Sequence, residues 1–204
     1  MSSTVAIAGA VALLGIAATV ASLAYLHLAA TGLSPLRNPV SQYGITEQRA
    51  GYRAATISLG VAGGAAAAGI RAALSGAGLG VVVGLLVVFA IARLIISWFP
   101  MDAPGSPRSD TGRRHGLIAI VTFGWATIAA LRLGQLLAKG GPWHGLASTS
   151  MAFGWAMAAS IAAMFLTRSS PELRRYFGAI ERVLYVAIIG WLTMIGVLCA
   201  LRIS

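Results

Sequence analysis

The chain has 204 residues, 58% of them hydrophobic and only 10% charged, with a mean hydropathy of +0.84. Soluble domains carry roughly a quarter charged residues, so a water-soluble enzyme or binding module is excluded. The net charge of +10 does not point to nucleic acid, because the cations flank apolar runs, where they face anionic lipid headgroups.

Crossing a hydrocarbon core of ~30 Å takes about 20 apolar residues in a helix. The first run of that length, residues 5–31, follows Met1–Thr4, which carry no Lys or Arg. It exceeds the apolar region of a signal peptide and reads as an uncleaved transmembrane helix with His27 a turn inside its end. Loop 1–2 (residues 32–50) carries Pro35, Pro39 and Gly44, which forbid a long helix. Leu33, Leu36, Val40, Tyr43 and Ile45 make it too apolar for a free linker. It is expected to fold back into the bundle, with Asn38, Ser41 and Gln42 supplying partners for buried backbone.

Spans two and three, residues 51–70 and 77–99, are joined by a short connection and read as an antiparallel hairpin. Gly60, Gly64 and Ala68 on one side and Gly76, Gly80 and Gly84 on the other are spaced by four, which lets helix backbones approach closely in lipid. A homodimer interface is the competing use of these faces. Arg93 lies inside span three, about 9 Å from its end at Phe99. An intramembrane Arg costs a few kcal/mol unless it is paired or reaches the surface. Asp102, just past the helix-ending Pro100, and Glu181, at the start of span six, are its candidate partners.

Span four, residues 115–137, opens on Gly112-Arg113-Arg114-His115, and the Ser109–Thr111 region is placed to cap it. Asp102 is in position to bond His115 or Arg113. Spans five and six, residues 145–167 and 180–202, complete a single six-span domain over 1–204, an all-α polytopic membrane bundle. Gly124-Trp125, Gly154-Trp155 and Gly190-Trp191 each fall about 15 Å into a helix, although Trp normally concentrates at interfaces. They read either as large–small packing or as an aromatic wall of Trp125, Trp155 and Trp191 around an apolar ligand. Cys199 is the only cysteine, so no intrachain disulfide forms.

Ten basic residues (Arg37, Arg49, Arg53, Arg108, Arg113, Arg114, Arg168, Arg174, Arg175 and Arg182) belong to loops 1–2, 3–4 and 5–6 and their flanks. Four (Arg71, Arg132, Lys139 and Arg202) belong to the opposite side. The positive-inside rule places the first set in the cytoplasm and both termini outside the cell membrane.

Three short blocks, Pro-Leu-Arg-Asn-Pro-Val-Ser-Gln-Tyr-Gly (35–44), Phe-Pro-Met-Asp (99–102) and Gly-Arg-Arg-His (112–115), resemble the signature blocks of the prokaryotic family catalogued as domain of unknown function 998. That resemblance implies a polytopic membrane protein of unassigned activity and supplies no catalytic residues. A more distant likeness, to Frag1/DRAM/Sfk1-type membrane proteins, rests on span number and the His at a helix start.

Arg93, His115, Asp102, His27 and Glu181 are expected to share one polar pocket beneath Asn38, Ser41 and Gln42. The leading functional reading is a non-enzymatic protein that binds or moves a lipid-like amphiphile, with membrane lipids as its surroundings. One alternative is an intramembrane lipid hydrolase using metal-bound water on His27, His115 and Asp102, since two His and a carboxylate suffice for catalytic zinc. No His-x-x-x-His pair supports it. The other is a structural or assembly subunit associating with itself or another protein through its small-residue faces. Haem needs paired axial ligands within the bundle, and only His27 and His115, near one edge, are available. No metal or cofactor is expected.

Overall fold

The computed structural model describes residues 3–141 and 143–201, with the side chains of Arg168 and Pro171 excepted. Arg202 therefore lies outside the described residues. Six helices are long and apolar enough to cross a membrane, and no strand occurs among the described residues. They are α1 (Ser3–Leu28), α2 (Arg49–Ala73), α3 (Leu79–Ile95), α4 (Asp110–Leu137), α5 (Ala147–Ser169) and α7 (Phe177–Ala200), with a one-turn helix α6 (Pro171–Arg174) before the last. A 3-10 turn, Ile96–Trp98, extends α3.

The element ends follow local chemistry. Helix α4 begins five residues earlier than the apolar run because the Ser109 Oγ accepts the Gly112 amide at 2.9 Å, capping the first turn. Pro100 stops the continuation of α3. Loop 1–2 contains a short 3-10 helix, Val40–Ile45, that begins directly after Pro39.

Each span packs on the next, and α5 packs on α7, which returns to α1, so the helices close into a ring. Helices α2 and α7 also touch across the ring. That contact divides it into a filled side, α1–α2–α7, and a wider side bounded by α2, α3, α4, α5 and α7. Lipid offers no hydrophobic drive between helices, so close backbone approach holds the filled side. A Cβ on Gly9 would collide with the Ala200 backbone, and one on Gly15 would fall 2.8 Å from the Ser58 carbonyl oxygen. One turn beyond Gly15, Thr19 and Ser58 share a hydroxyl hydrogen bond of 2.8 Å across α1 and α2.

The α2–α3 hairpin forms, but only half of its expected groove is used. A Cβ on Gly60 would lie 3.0 Å from the Ala90 carbonyl, and one on Gly63 would lie 2.6 Å from the Phe89 ring. Gly80 and Gly84 meet nothing within 4 Å, and Gly76 lies in the connecting turn with φ 128°.

Candidate functional site

The wide side of the ring is not filled. A cavity of about 610 Å³ occupies it, within the ~300–1,000 Å³ typical of ligand sites. Along α4 it is lined by Gly116, Ile120 and Gly124, one step of four apart and therefore on one face. Neither glycine has an atom within 4 Å of where a Cβ would sit, so the missing side chains leave the space. Leu117, Ile120 and Phe165 line it while remaining 65%, 59% and 53% exposed. These side chains of α4 and α5 give the cavity a lateral opening on the bundle's apolar exterior.

At the end nearest loops 1–2 and 3–4 the lining turns polar, with Arg93, Glu181, Tyr185, Tyr52, His115 and Ser41. Arg93 is only 1% exposed. Its Nη1 donates to the Tyr185 hydroxyl at 3.0 Å, and the guanidinium carbon lies 5.2 Å from that ring's centroid. Nε is buried without a partner. Among the described residues the one ion pair is Arg113–Asp110, at the surface, so Arg93 touches no carboxylate. An isolated buried charge is costly unless something neutralises it.

Glu181 is 4% exposed and is committed elsewhere. Its Oε2 accepts the Val40 amide at 2.5 Å. Pro39 has no N–H to give, so Val40 is the first donor of the 3-10 helix, and the carboxylate caps it. Around this bond the loop docks on α7. The Ala179 amide donates to the Leu36 carbonyl at 3.1 Å, and Arg182 Nη1 donates to the Asn38 carbonyl at 2.9 Å. A Cβ on Gly178 would fall 2.5 Å from the Asn38 carbonyl oxygen. Glycine there is what admits the loop.

His115 is 7% exposed, and its Nδ1 lies 2.7 Å from the Phe99 carbonyl. A carbonyl only accepts, so Nδ1 carries a proton, and whenever the ring is neutral its lone pair is on Nε2. The bond ties the start of loop 3–4 to the second turn of α4. Asp102 is held by Ser109, whose hydroxyl and amide donate to its carboxylate at 2.5 and 3.1 Å. The Ser109 hydroxyl chiefly, then its amide, hold the Asp102 carboxyl below the ordinary carboxylate range.

A family model described as "Protein of unknown function (DUF998)" matches residues 9–198. The chain belongs to the DUF998 family. No curated protein and no solved structure matches it. In this DUF998 chain all three short blocks singled out in the sequence contribute to the one cavity, through Pro39 and Ser41, through Met101 and Asp102, and through Gly112, Arg113 and His115. Ser41 also reaches Met101 across the two loops, Oγ to Sδ, at 3.2 Å.

Of the candidate residues in this DUF998 chain, Arg93, His115, Asp102, Glu181 and Ser41 line the cavity and His27, Asn38 and Gln42 do not. The exposed His27 accepts from Arg182 Nε at its Nε2, 2.7 Å away, and its Nδ1 meets the Leu23 carbonyl at 2.6 Å. Asn38 and Gln42 hold the loop to itself. The Asn38 side-chain oxygen accepts the Ser34 amide at 2.7 Å, and its amide group donates to Gln42 at 2.9 Å.

The expected bonds of Asp102 and Arg93 are not those formed. Asp102 bonds Ser109 rather than His115 or Arg113, because its carboxylate lies against Gly112 in the capped first turn of α4. Arg113 pairs instead with Asp110. Arg93 meets Tyr185 rather than Asp102 or Glu181. Within loop 1–2, Val40 and Tyr43 are buried while Leu36 and Ile45 stay exposed.

The three tryptophans form no common wall. Each residue turns a helix by about 100°, so with 116, 120 and 124 facing the cavity Trp125 points away, and Trp155 is 62% exposed. Trp191 is fully buried, its indole N–H donating to Ser150 Oγ at 2.9 Å, which in turn donates to the Ala130 carbonyl at 2.8 Å. That chain joins α7, α5 and α4 and satisfies the indole at mid-depth. Tyr52 and Tyr185 escape the sequence reading. Tyr185 stands four residues after Glu181, hence on the same helix face, and that spacing is the signal that carried it.

Proposed function

We propose that this DUF998 protein binds an amphiphile with an anionic end and a single apolar chain, taken sideways from the bilayer between α4 and α5. Arg93 carries the reading. It is a buried guanidinium lining a cavity, bonded only to a neutral hydroxyl, with its Nε unpaired. The anion completes the pairing that the protein leaves open. Between His115 and Gly124 the cavity follows α4 for about 13 Å, room for the head and the first part of a chain. With loops 1–2, 3–4 and 5–6 in the cytoplasm, as the basic residues favour, the amphiphile comes from the inner leaflet.

A metal-dependent hydrolase finds less support. His27, His115 and Asp102 are engaged by Arg182, Phe99 and Ser109 respectively, and among the described residues no three metal-capable side chains converge. Self-association is favoured by one observation, the pair Gly80 and Gly84 on α3 with no intramolecular neighbour. Loss of dimer in detergent on Gly84→Leu supports it, and an unchanged size refutes it.

The test of the main reading compares a pyrene-labelled dodecyl sulfonate with the uncharged alcohol of the same chain. Wild type binds the sulfonate more tightly, and Arg93→Leu loses that preference while still binding the alcohol. Equal affinity of wild type for both compounds contradicts the reading.

A further inference from the structure

Two oppositely charged side chains line the polar end of this cavity and do not meet. Arg93 bonds only a tyrosine. Glu181 spends one oxygen on Val40, and its Oε1 has no hydrogen-bond partner among the described residues. Both residues line the same space, yet no carboxylate lies within 4.0 Å of Arg93. A pair built for stability alone closes that gap, because attraction grows steeply as separation and dielectric fall. Here the two side chains form no ion pair although both line one cavity, so an anion bound at Arg93 would share that space with Glu181.

We propose that uptake of the anionic amphiphile is coupled to uptake of a proton by Glu181, so that the site takes anion and proton together. The coupling rests on the anion reading given above. In the empty cavity Arg182 and, after it, Arg93 favour the ionised carboxylate. A bound anion neutralises the Arg93 share of that field and adds a like charge beside Glu181, and both effects favour the protonated acid. The proton goes to Oε1, the oxygen without a partner, and the resulting O–H donates a hydrogen bond to the anion. Oε2 keeps the Val40 amide, so loop 1–2 stays docked in both states.

The other groups facing Glu181 do not provide this proton site. From α2 and α7, Tyr52 and Tyr185 present hydroxyls that stay neutral in the physiological range. Arg182, its neighbour on α7, is fixed by the Asn38 carbonyl and His27. His115 of α4 has its orientation set by Phe99 and provides the one competing acceptor, Nε2. Asp102 is bonded by Ser109 at the rim, where Arg108 and Arg113 also stand.

Coupling of this kind is reciprocal: whatever the anion does to proton affinity, the proton does to anion affinity. The test uses the full chain in nonionic detergent and the pyrene-labelled dodecyl sulfonate, whose charge does not change between pH 5 and 9. Wild-type Kd rises roughly tenfold across that interval, within the usual range of coupling between sites. Glu181→Gln keeps an acceptor for Val40 and binds with the acid-limb affinity at every pH. His115→Asn keeps the wild-type pH dependence. Calorimetry of the wild type in phosphate and in Tris reads a net uptake of a fraction of one proton per probe, and this holds the proposal to account without any variant. A pH-independent wild-type Kd with no proton uptake overturns the coupling and leaves the anion reading intact. A pH dependence that survives in Glu181→Gln, or that vanishes in His115→Asn, overturns the assignment to Glu181. If wild type does not bind the sulfonate at any pH, the anion reading falls and the coupling with it.

Discussion

The Glu181 carboxylate accepts the Val40 amide at 2.5 Å, joining residues 141 positions apart. Through that bond one end of α7 holds the loop that roofs the cavity. Replacing it by Ala leaves a buried amide unpaired. A hydrogen bond to a charged group contributes about 1.5–3 kcal/mol, so Glu181→Ala is expected to speed amide exchange in residues 34–46 by roughly 10- to 100-fold. Glu181→Gln leaves exchange close to wild type. Hydrogen exchange read by mass spectrometry checks both.

Filling the apolar end of the cavity tests whether a chain lies there. Nothing sits within 4 Å of a Cβ at Gly124, so Gly124→Leu enters open space, and leucine is the better helix former. Losing contact with two methylenes of a bound chain, at about 0.8 kcal/mol each, corresponds to roughly tenfold weaker binding. Helix content and melting temperature are expected to stay level or rise. A fluorescence titration together with a circular-dichroism melt reads both quantities.

The Trp191–Ser150–Ala130 chain is structural. Trp191→Phe and Ser150→Ala are each expected to destabilise the bundle by about 0.5–1.5 kcal/mol. The double variant costs less than the sum, because either change breaks the same bond. Neither alters amphiphile affinity by more than about twofold, as neither residue lines the cavity. Unfolding in mixed micelles gives the stability values.

Asp102 supplies a pH prediction. Its carboxyl is held low by Ser109, so its contribution to loop 3–4 is present above the ordinary value of about 4 and fades as pH falls through the lower folded value. Ser109→Ala removes the larger cause and is expected to return the carboxyl towards the ordinary range. A carbon-detected NMR titration of the Asp side chains measures this directly.

Much of the fold was legible because length and hydropathy fix a membrane helix almost unaided. Six runs were found with ends within a few residues. The largest discrepancy, at α4, came from Ser109, a cap that outweighs hydropathy at the boundary. The ring order was not legible, since nothing local tells α7 to close on α1. Gly9 and Gly196 make that contact, yet they resemble every other small residue in the chain.

The site was half legible. Arg93 and Glu181 stand out because charge inside a span is costly, and His115 and Asp102 because they mark helix boundaries. Their partners were not legible, because a side chain's direction depends on helix rotation that no single span reveals. The two readings of the tryptophans stay open in the sequence for that reason, since the three are equally deep but aimed differently. The cavity itself is written as absence, in Gly116, which nothing in the sequence singles out, and in Gly124, which reads from sequence as a packing partner of a tryptophan.

Native mass spectrometry of the protein released from its own membrane tests most directly whether Arg93 holds an anionic amphiphile. The wild-type species is expected to carry one anionic amphiphile, and an Arg93→Leu species, folded by circular dichroism, to carry none. Equal retention of the same amphiphile by both proteins would contradict it.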